Sequence, residues 1–319
     1  RTPAELQTQW AAAIDAHRND RNADARAAYD AILADEPGHA PTLHLRGVLR
    51  REDGDADGAA VDFTAALAVA PADEKSRVAL AQMALSEYRV ADARRIIATA
   101  PESAAARVSL LRTHGHVALA GRDGATAVNA FAAAIRAEPF DAETHFNHGV
   151  ALQMLRYLGD AARAYQRALE IAPAMLDAHF NLGVVFEELG ETDSAITALE
   201  YVIAQKPAGA EAHRALLDVL ARHQRGAQWM RAFERFEQNC PDALGLVANA
   251  LEYYQYMGDY AKIHRYIDRL GKAGFKPANE LDLVDSLEQL LYLMLFFDVA
   301  PDTHAALYAT YDKAARRVY

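Results

Sequence analysis

The sequence predicts an all-α fold: a solenoid of about eight helical hairpins followed by a C-terminal helical extension. Three observations predict it. Prolines recur at Pro37, Pro71, Pro139, Pro173, Pro207 and Pro241, with every gap 34 residues except one of 68 centred on Ala105. A fixed period of that length marks stacked helical hairpins, in which each unit buries its apolar face only against its neighbours. Small and large side chains also keep fixed columns within the period. Alanine is very abundant and β-branched runs are few, a helix-forming composition.

With the proline at position 32 of a 34-residue unit, the columns of units one to six can be read directly. Position 8 is small: Ala13, Gly47, Ala81, Gly115, Gly149 and Gly183. Position 20 is alanine throughout: Ala25, Ala59, Ala93, Ala127, Ala161 and Ala195. Position 24 is bulky and apolar: Tyr29, Phe63, Ile97, Phe131, Tyr165 and Leu199. Position 27 is mostly small: Ile32, Ala66, Ala100, Ala134, Ala168 and Val202. Small residues at 8 and 20 let the two helices of a hairpin approach closely, and the residue at 24 fills the space beside them. The proline ends the second helix and starts the turn into the next unit.

These columns resemble the tetratricopeptide repeat, most fully over residues 145–173 and 179–207. The resemblance implies a right-handed α-solenoid of about eight tetratricopeptide hairpins. Residues 1–207 hold six regular units, and residues 208–277 two divergent ones. In the seventh unit positions 8 and 20 are Leu217 and Trp229, followed by Phe233 and Phe236; in the eighth they are Leu251 and Ile263, followed by Ile267 and Leu270, with the proline displaced to Pro277. Bulky residues at close-approach columns must spread or shift the helices, so these units read as an adapter at the end of the array. Residues 278–319 then form a helical linker. Residues 280–297 predict an amphipathic helix with Leu283, Leu287, Leu290, Leu291 and Met294 on one face. Residues 303–318 predict a last helix, with Leu307, Tyr308, Tyr311 and Ala315 at helical spacing.

The net charge of −11 argues against nucleic acid as the main partner, because phosphate binding needs clustered Lys and Arg. It permits basic or neutral protein partners. Cys240 is the single cysteine, read as a free, partly buried thiol of a cytoplasmic protein. The longest apolar run, residues 290–297, is far below the roughly 18–20 residues that cross a bilayer. The chain opens on Arg1 rather than methionine and reads as a piece of a longer protein.

The first helix of each unit is expected to line a concave groove, and positions 2, 6, 9 and 13 share one helical face. Position 6 is asparagine in three units: Asn147, Asn181 and Asn249. An amide offers donor and acceptor together, so a column of them can grip an extended peptide main chain without reading its side chains. The alternative is that these asparagines cap or decorate a solvated helix face. Their neighbours in the stripe are Glu143, Val150 and Met154, then Asp177, Val184 and Glu188, then Asp218 and Arg222. This mixed apolar and acidic lining suits an extended polar or basic segment, or else is an ordinary solvated face. Thr113, Ala79, Leu45 and Ala11 hold position 6 in earlier units, which confines the expected groove to the C-terminal half.

Histidines recur at position 4: His145, His179 and His213. Spaced one hairpin apart they do not converge on a metal, and they read as packing residues in place of the usual large aromatic. No phosphate loop, GxGxxG, HExxH or GxSxG is present, so no catalytic residue, metal or cofactor is assigned to this chain.

The phrases HFNHG and HFNLG around Asn147 and Asn181 look like the array of the protein O-GlcNAc transferase and SPINDLY-like group, glycosyltransferase family 41. Residues 290–319 are similar to the helical segment that joins array and catalytic domain in bacterial members of that group. The resemblance implies that Asn147, Asn181 and Asn249 grip acceptor polypeptides. It also implies a catalytic domain beyond Tyr319 that would bind the nucleotide-sugar donor. The expected function is a scaffold that recruits acceptor proteins, flagellar or surface proteins among them, for O-glycosylation. A stand-alone adaptor or chaperone for secretion or assembly is the alternative, and a self-association module a third. The sequence leaves a homodimer open.

Overall fold

The structure is a computed structural model that describes residues 3–101 and 107–240, with positions 308, 309, 311, 312 and 316. Among the described residues it is all α-helix and turn, in seven helical hairpins. In chain order the pairs are α1 (Pro3–Arg18) and α2 (Asn22–Asp35), α3 (Ala40–Glu52) and α4 (Ala56–Val69), α5 (Glu74–Ser86) and α6 (Val90–Ala98). There follow α7 (Val108–Ala120) and α8 (Gly124–Ala137), α9 (Ala142–Met154) and α10 (Leu158–Ile171), α11 (Leu176–Glu188) and α12 (Thr192–Gln205), then α13 (Ala210–Arg222) and α14 (Gly226–Asn239). The chain divides into two compact units, Arg1–Ala178 and His179–Tyr319.

The hairpin turn is the same device seven times. Position 15 always has a positive φ, at Asp20, Gly54, Tyr88, Arg122, Arg156, Gly190 and Gln224. Its N–H bonds the carbonyl three residues back, and the next N–H reaches five back, as in Arg122 to Leu119 (2.9 Å) and Asp123 to Ala118 (2.8 Å). That is the Schellman closure, which satisfies carbonyls orphaned at the end of the first helix. Only Gly54 and Gly190 are glycine, so the hydrogen bonds hold five other residues where L side chains are strained. The second helix then starts at once. Asp55 and Asp123 cap α4 and α8 by accepting from Gly58 N and Thr126 N.

In the unit Arg1–Ala178 the close-approach columns meet as their sizes require. A Cβ at Gly47 would stand 2.8 Å from the Phe63 ring, at Gly115 2.5 Å from Phe131, and at Gly149 2.6 Å from Tyr165. The three rings are fully buried. Where position 24 is tyrosine its hydroxyl finds a partner at position 12: His17 Nδ1 for Tyr29 (3.1 Å), and the Gln153 side-chain carbonyl for Tyr165 (2.8 Å). Burial, then the negative charge of Glu52, pushes the Tyr29 phenol up to about 12. Asp62, 1% exposed, is held by a two-point bond from Arg46 (2.6 and 2.9 Å) and by Arg50 (3.1 Å). Such a carboxylate requires its partners, since an unpaired buried charge costs about 3–5 kcal/mol.

Position 4 has its own role. Arg77 donates to the carbonyl of Pro71 (2.7 Å), and His145 Nε2 bonds that of Pro139 (2.9 Å). In the second unit His213 Nε2 does the same to Pro207 (2.9 Å). The side chain thus satisfies the carbonyl of the proline that closes the preceding hairpin. His179 packs its ring against Tyr201, with centroids 4.0 Å apart.

The unit His179–Tyr319 keeps the column logic at Gly183, whose added Cβ would lie 2.9 Å from Leu199. In α13 and α14 the bulky set Leu217, Trp229, Phe233 and Phe236 is buried, with Trp229 and Phe233 stacked at 5.1 Å and 2°. Cys240 is a buried free thiol, raised by burial, 3.7 Å from the Pro207 carbonyl oxygen. The eighth repeat and the amphipathic helix expected at 280–297 lie outside the described residues, as does most of the last helix. Tyr308, Tyr311 and Asp312 within that last stretch are helical, and Arg316 Nε bonds Asp312 at 2.9 Å. No described helix is long and apolar enough to cross a membrane.

Candidate functional site

On α9 the expected stripe is a continuous partly open face: Glu143 and Met154 are exposed, and Asn147 and Val150 half-buried. Asn147 spends one amide hydrogen on its own helix, donating to the Glu143 carbonyl at 3.0 Å. Its orientation is therefore fixed from below. On α11 the same columns give Asp177 and Glu188 exposed, Asn181 and Val184 half-buried. On α13, Asp218 is half-buried, and burial lifts its carboxyl above the usual range against the pull of Arg222 and Arg214. Arg222 bonds Glu187 at 2.6 Å. Asn249 lies outside the described residues. The asparagines therefore hold equivalent positions on α9 and α11, one in each compact unit.

Sequence reasoning missed a cavity in the first unit. A cavity of about 740 Å³ opens among α1, α3 and α5, lined by Trp10, Ile14, Arg18, Pro41, Leu45 and Lys75 with other residues. Apart from Trp10, these occupy positions 2, 6, 9 and 13, the columns nominated for binding. The other lining residues, among them His17, Tyr29, His44, Asp73 and Glu74, lie on different columns, and position 6 in these units is Leu45 or Ala11 rather than asparagine. A second cavity of about 380 Å³ shares His44, Glu74 and Lys75 with it and runs on to Gln82 and Ser109. The signal available in the sequence was the apolar pair Ile14 and Leu45 on the groove columns, with Trp10 one turn before Ile14.

The walls are electrostatically settled except at two points. His17 bonds Tyr29 and, at 3.2 Å, Glu52; His44 bonds the Ser76 hydroxyl at 2.9 Å, and burial lowers its pKa. Glu74 pairs with Arg107 at 3.3 Å. Arg18 and Lys75 are exposed and have no ion pair among the described residues. No three of His, Cys, Asp and Glu come together as a metal site among the described residues. The arrangement provides contact surface, hydrogen bonds and charge, which are the means of binding.

Comparison with known proteins agrees with this architecture. The tetratricopeptide repeat family model matches residues 112–175, 155–210 and 180–243, so this stretch is similar to a tetratricopeptide repeat array. No curated protein matches the chain. Among solved structures, YrrB, described as a TPR protein with an unusual peptide-binding site, is 17% identical over 59% of this chain and 96% of its own, with a TM-score of 0.53. PilF of Pseudomonas aeruginosa is 13% identical, covering 68% of this chain and 97% of its own, TM-score 0.57. PilW, a type IV pilus biogenesis factor, is 15% identical over 69% of this chain and 100% of its own, TM-score 0.56. At these identities the likeness is one of fold.

Proposed function

We propose that this tetratricopeptide array is a polypeptide-binding scaffold that holds extended segments of other proteins against the first helices of its repeats. The supporting observation is at columns 2, 6, 9 and 13: they stay partly open on α9 and α11, and Ile14, Arg18, Pro41, Leu45 and Lys75 on the same columns line part of a cavity in the N-terminal unit. Asn147 and Asn181 bond the peptide main chain, while Val150, Val184 and Met154 supply apolar contact and Glu143, Asp177 and Glu188 attract basic side chains. Asn249, Asp218 and Arg222 extend the same role toward the C-terminus. That YrrB is described as having a peptide-binding site supports the reading.

The finer reading places the scaffold in a cytoplasmic O-glycosylation system, presenting acceptors to a glycosyltransferase domain. It rests on the resemblance of HFNHG and HFNLG, at Asn147 and Asn181, to that group. A second reading, an adaptor in assembly or secretion, is favoured by the likeness to PilW, a pilus biogenesis factor. One experiment separates them: the full natural gene product is incubated with radiolabelled nucleotide sugar and a bound polypeptide. Label transferred to the polypeptide supports the transferase reading, and its absence alongside retained binding favours the adaptor.

For the scaffold itself, peptides selected from a displayed library should bind the wild-type chain with measurable Kd. The pair Asn147→Ala and Asn181→Ala should weaken them about fivefold each, the worth of one hydrogen bond of about 1 kcal/mol. Unchanged Kd in both variants would remove the asparagines from the site.

A further inference from the structure

We infer that the groove between α8 and α10 docks an acidic amphipathic helix of a partner protein, on the side of the repeats away from the proposed peptide face. The groove has a volume of about 570 Å³. Its walls are the second helices of two successive hairpins, and its floor is the back of α9, at His145, His148 and Leu152. With about 3.6 residues per turn, these three lie about half a turn around α9 from Glu143, Asn147 and Val150. The inference therefore goes beyond the scaffold reading and stands or falls apart from it. The lining runs from Val128 to Arg136 on α8 and from Asp160 to Arg167 on α10. At about 1.5 Å per residue that is roughly 11 Å, or about two turns of helix. Val128, Ala132, Ile135 and Leu152 make the interior apolar, so the occupant presents aliphatic side chains inward, one turn apart.

Charge sets the sign of the partner. The lining holds three guanidinium groups, those of Arg136, Arg163 and Arg167, against one carboxylate, that of Asp160. Arg136 is exposed and has no ion pair among the described residues. Arg163 pairs with Asp160, and Arg167 with Glu170, each three residues away on the same helix. Such exposed pairs are weak in solvent, and each uses one terminal nitrogen of its guanidinium, which leaves donors for a second carboxylate. The second unit supplies the comparison. A groove of about 470 Å³ between α12 and α14 repeats the columns, with Ile196 at position 21, Leu220 at 11, Arg231 at 22 and Arg235 at 26. There position 25 of the first wall is Glu200, which takes Arg235 across the groove at 3.0 Å. In the α8/α10 groove that column is Ala132, so Arg167 meets no carboxylate there. It stacks instead on Phe140, 5.7 Å from the ring centroid, and Phe140 is itself 75% exposed. The array thus answers the same arginine with its own glutamate in one groove and leaves it for a carboxylate from outside in the other.

The probe is a fluorescein-labelled synthetic peptide, Ala-Glu-Glu-Leu-Glu-Ala-Glu-Leu-Glu-Ala-Ala, with its leucines one helical turn apart. Its control has every glutamate replaced by glutamine. Anisotropy with the intact chain should show saturable binding of the acidic peptide, weakened as salt rises, and at least about tenfold weaker binding of the glutamine peptide. Ala132→Glu copies the glutamate of the second groove and should cost the acidic peptide at least about tenfold in affinity, with helicity unchanged. Arg136→Gln, at an exposed position, should cost about fivefold and carries the test if the first variant fails to fold. Asn147→Ala, on the opposite face of α9, should leave the affinity as it was. No saturable binding, equal binding of the two peptides, or full affinity in a folded Ala132→Glu chain or in Arg136→Gln overturns the inference. If Asn147→Ala abolishes binding, the peptide lies on the first-helix face; the scaffold reading stands and this one falls. If library-selected peptides ignore both asparagine variants while the acidic peptide still responds to Arg136→Gln, the asparagine face falls and this groove stands. If the peptide does not bind but Ala132→Glu breaks a concentration-dependent dimer seen by sedimentation, the groove receives a second copy of the chain, and the inference is again overturned.

Discussion

A methyl group at Gly149 would land 2.6 Å from the Tyr165 ring, and that ring is fully buried with its hydroxyl tied to Gln153. The ring cannot swing out without losing both. Gly149→Ala should therefore destabilise the chain by about 1–3 kcal/mol, read as a lower urea midpoint. Gly159 is the control. It is helical, with nothing within 4 Å of an added Cβ, so Gly159→Ala should be neutral or stabilise by up to about 1 kcal/mol. Equal effects of the two substitutions would contradict the packing account. At this scale the sequence was highly legible, because a side chain's volume is written in its identity and the period repeats the same contact. It was legible in part at position 4: His145 and His213 could be read as packing residues, but their bond to the preceding proline's carbonyl could not. That bond depends on where a backbone oxygen points, and Arg77 makes it with a different side chain.

The hairpin is the element on which the array is built, and its turn was nearly silent in the sequence. The prolines mark where units end, but the positive φ at position 15 is filled by Asp, Gly, Tyr, Arg, Arg, Gly and Gln in turn. No single residue type is required, because two backbone hydrogen bonds hold the conformation and the side chain is left in solvent. The strain should still be measurable. Arg122→Gly should raise stability by about 0.5–1 kcal/mol, and Gly54→Ala should lower it by about 1 kcal/mol, both read from urea midpoints. A stabilising Gly54→Ala would show that the turn has another conformation in solution. In the seventh hairpin, a bulky buried set was foreseeable from Leu217 and Trp229 at the close-approach columns. The stacking of Trp229 on Phe233 was not, since it depends on how α14 turns its face to α13.

Across the whole molecule, burial lowers the pKa of His44, His116, His148 and His213. A histidine neutral in the folded state but titrating normally when unfolded makes the unfolded chain bind more protons below the ordinary pKa of about 6.5. The stability these residues contribute is complete above that pH and is lost as pH falls toward their folded values. The urea midpoint should therefore be lower near about pH 5.5 than near about pH 7.5. A midpoint that is flat or rises on acidification would count against it. The binding face divides between what could be read and what could not. Columns 2, 6, 9 and 13 follow from helical geometry, and Ile14, Arg18, Pro41, Leu45 and Lys75 of the cavity lining lie on them. Which repeats enclose space depends on Trp10 and Ile14 of α1 meeting Pro41 and Leu45 of α3, a tertiary fact that the period does not encode. The asparagine at position 6 drew attention to α9 and α11, while the enclosure formed at α1, α3 and α5.

The central claim is that polypeptide is held on the first helices of the repeats, and photocrosslinking tests it most directly. Benzoylphenylalanine placed at Val150 or Val184, on the first-helix face, and at Val61 or Val69, exposed on the second helix α4, would be irradiated with a library-selected peptide and the adducts mapped by mass spectrometry. The account predicts adducts from the first-helix positions and none from α4. Adducts confined to Val61 and Val69 would contradict it.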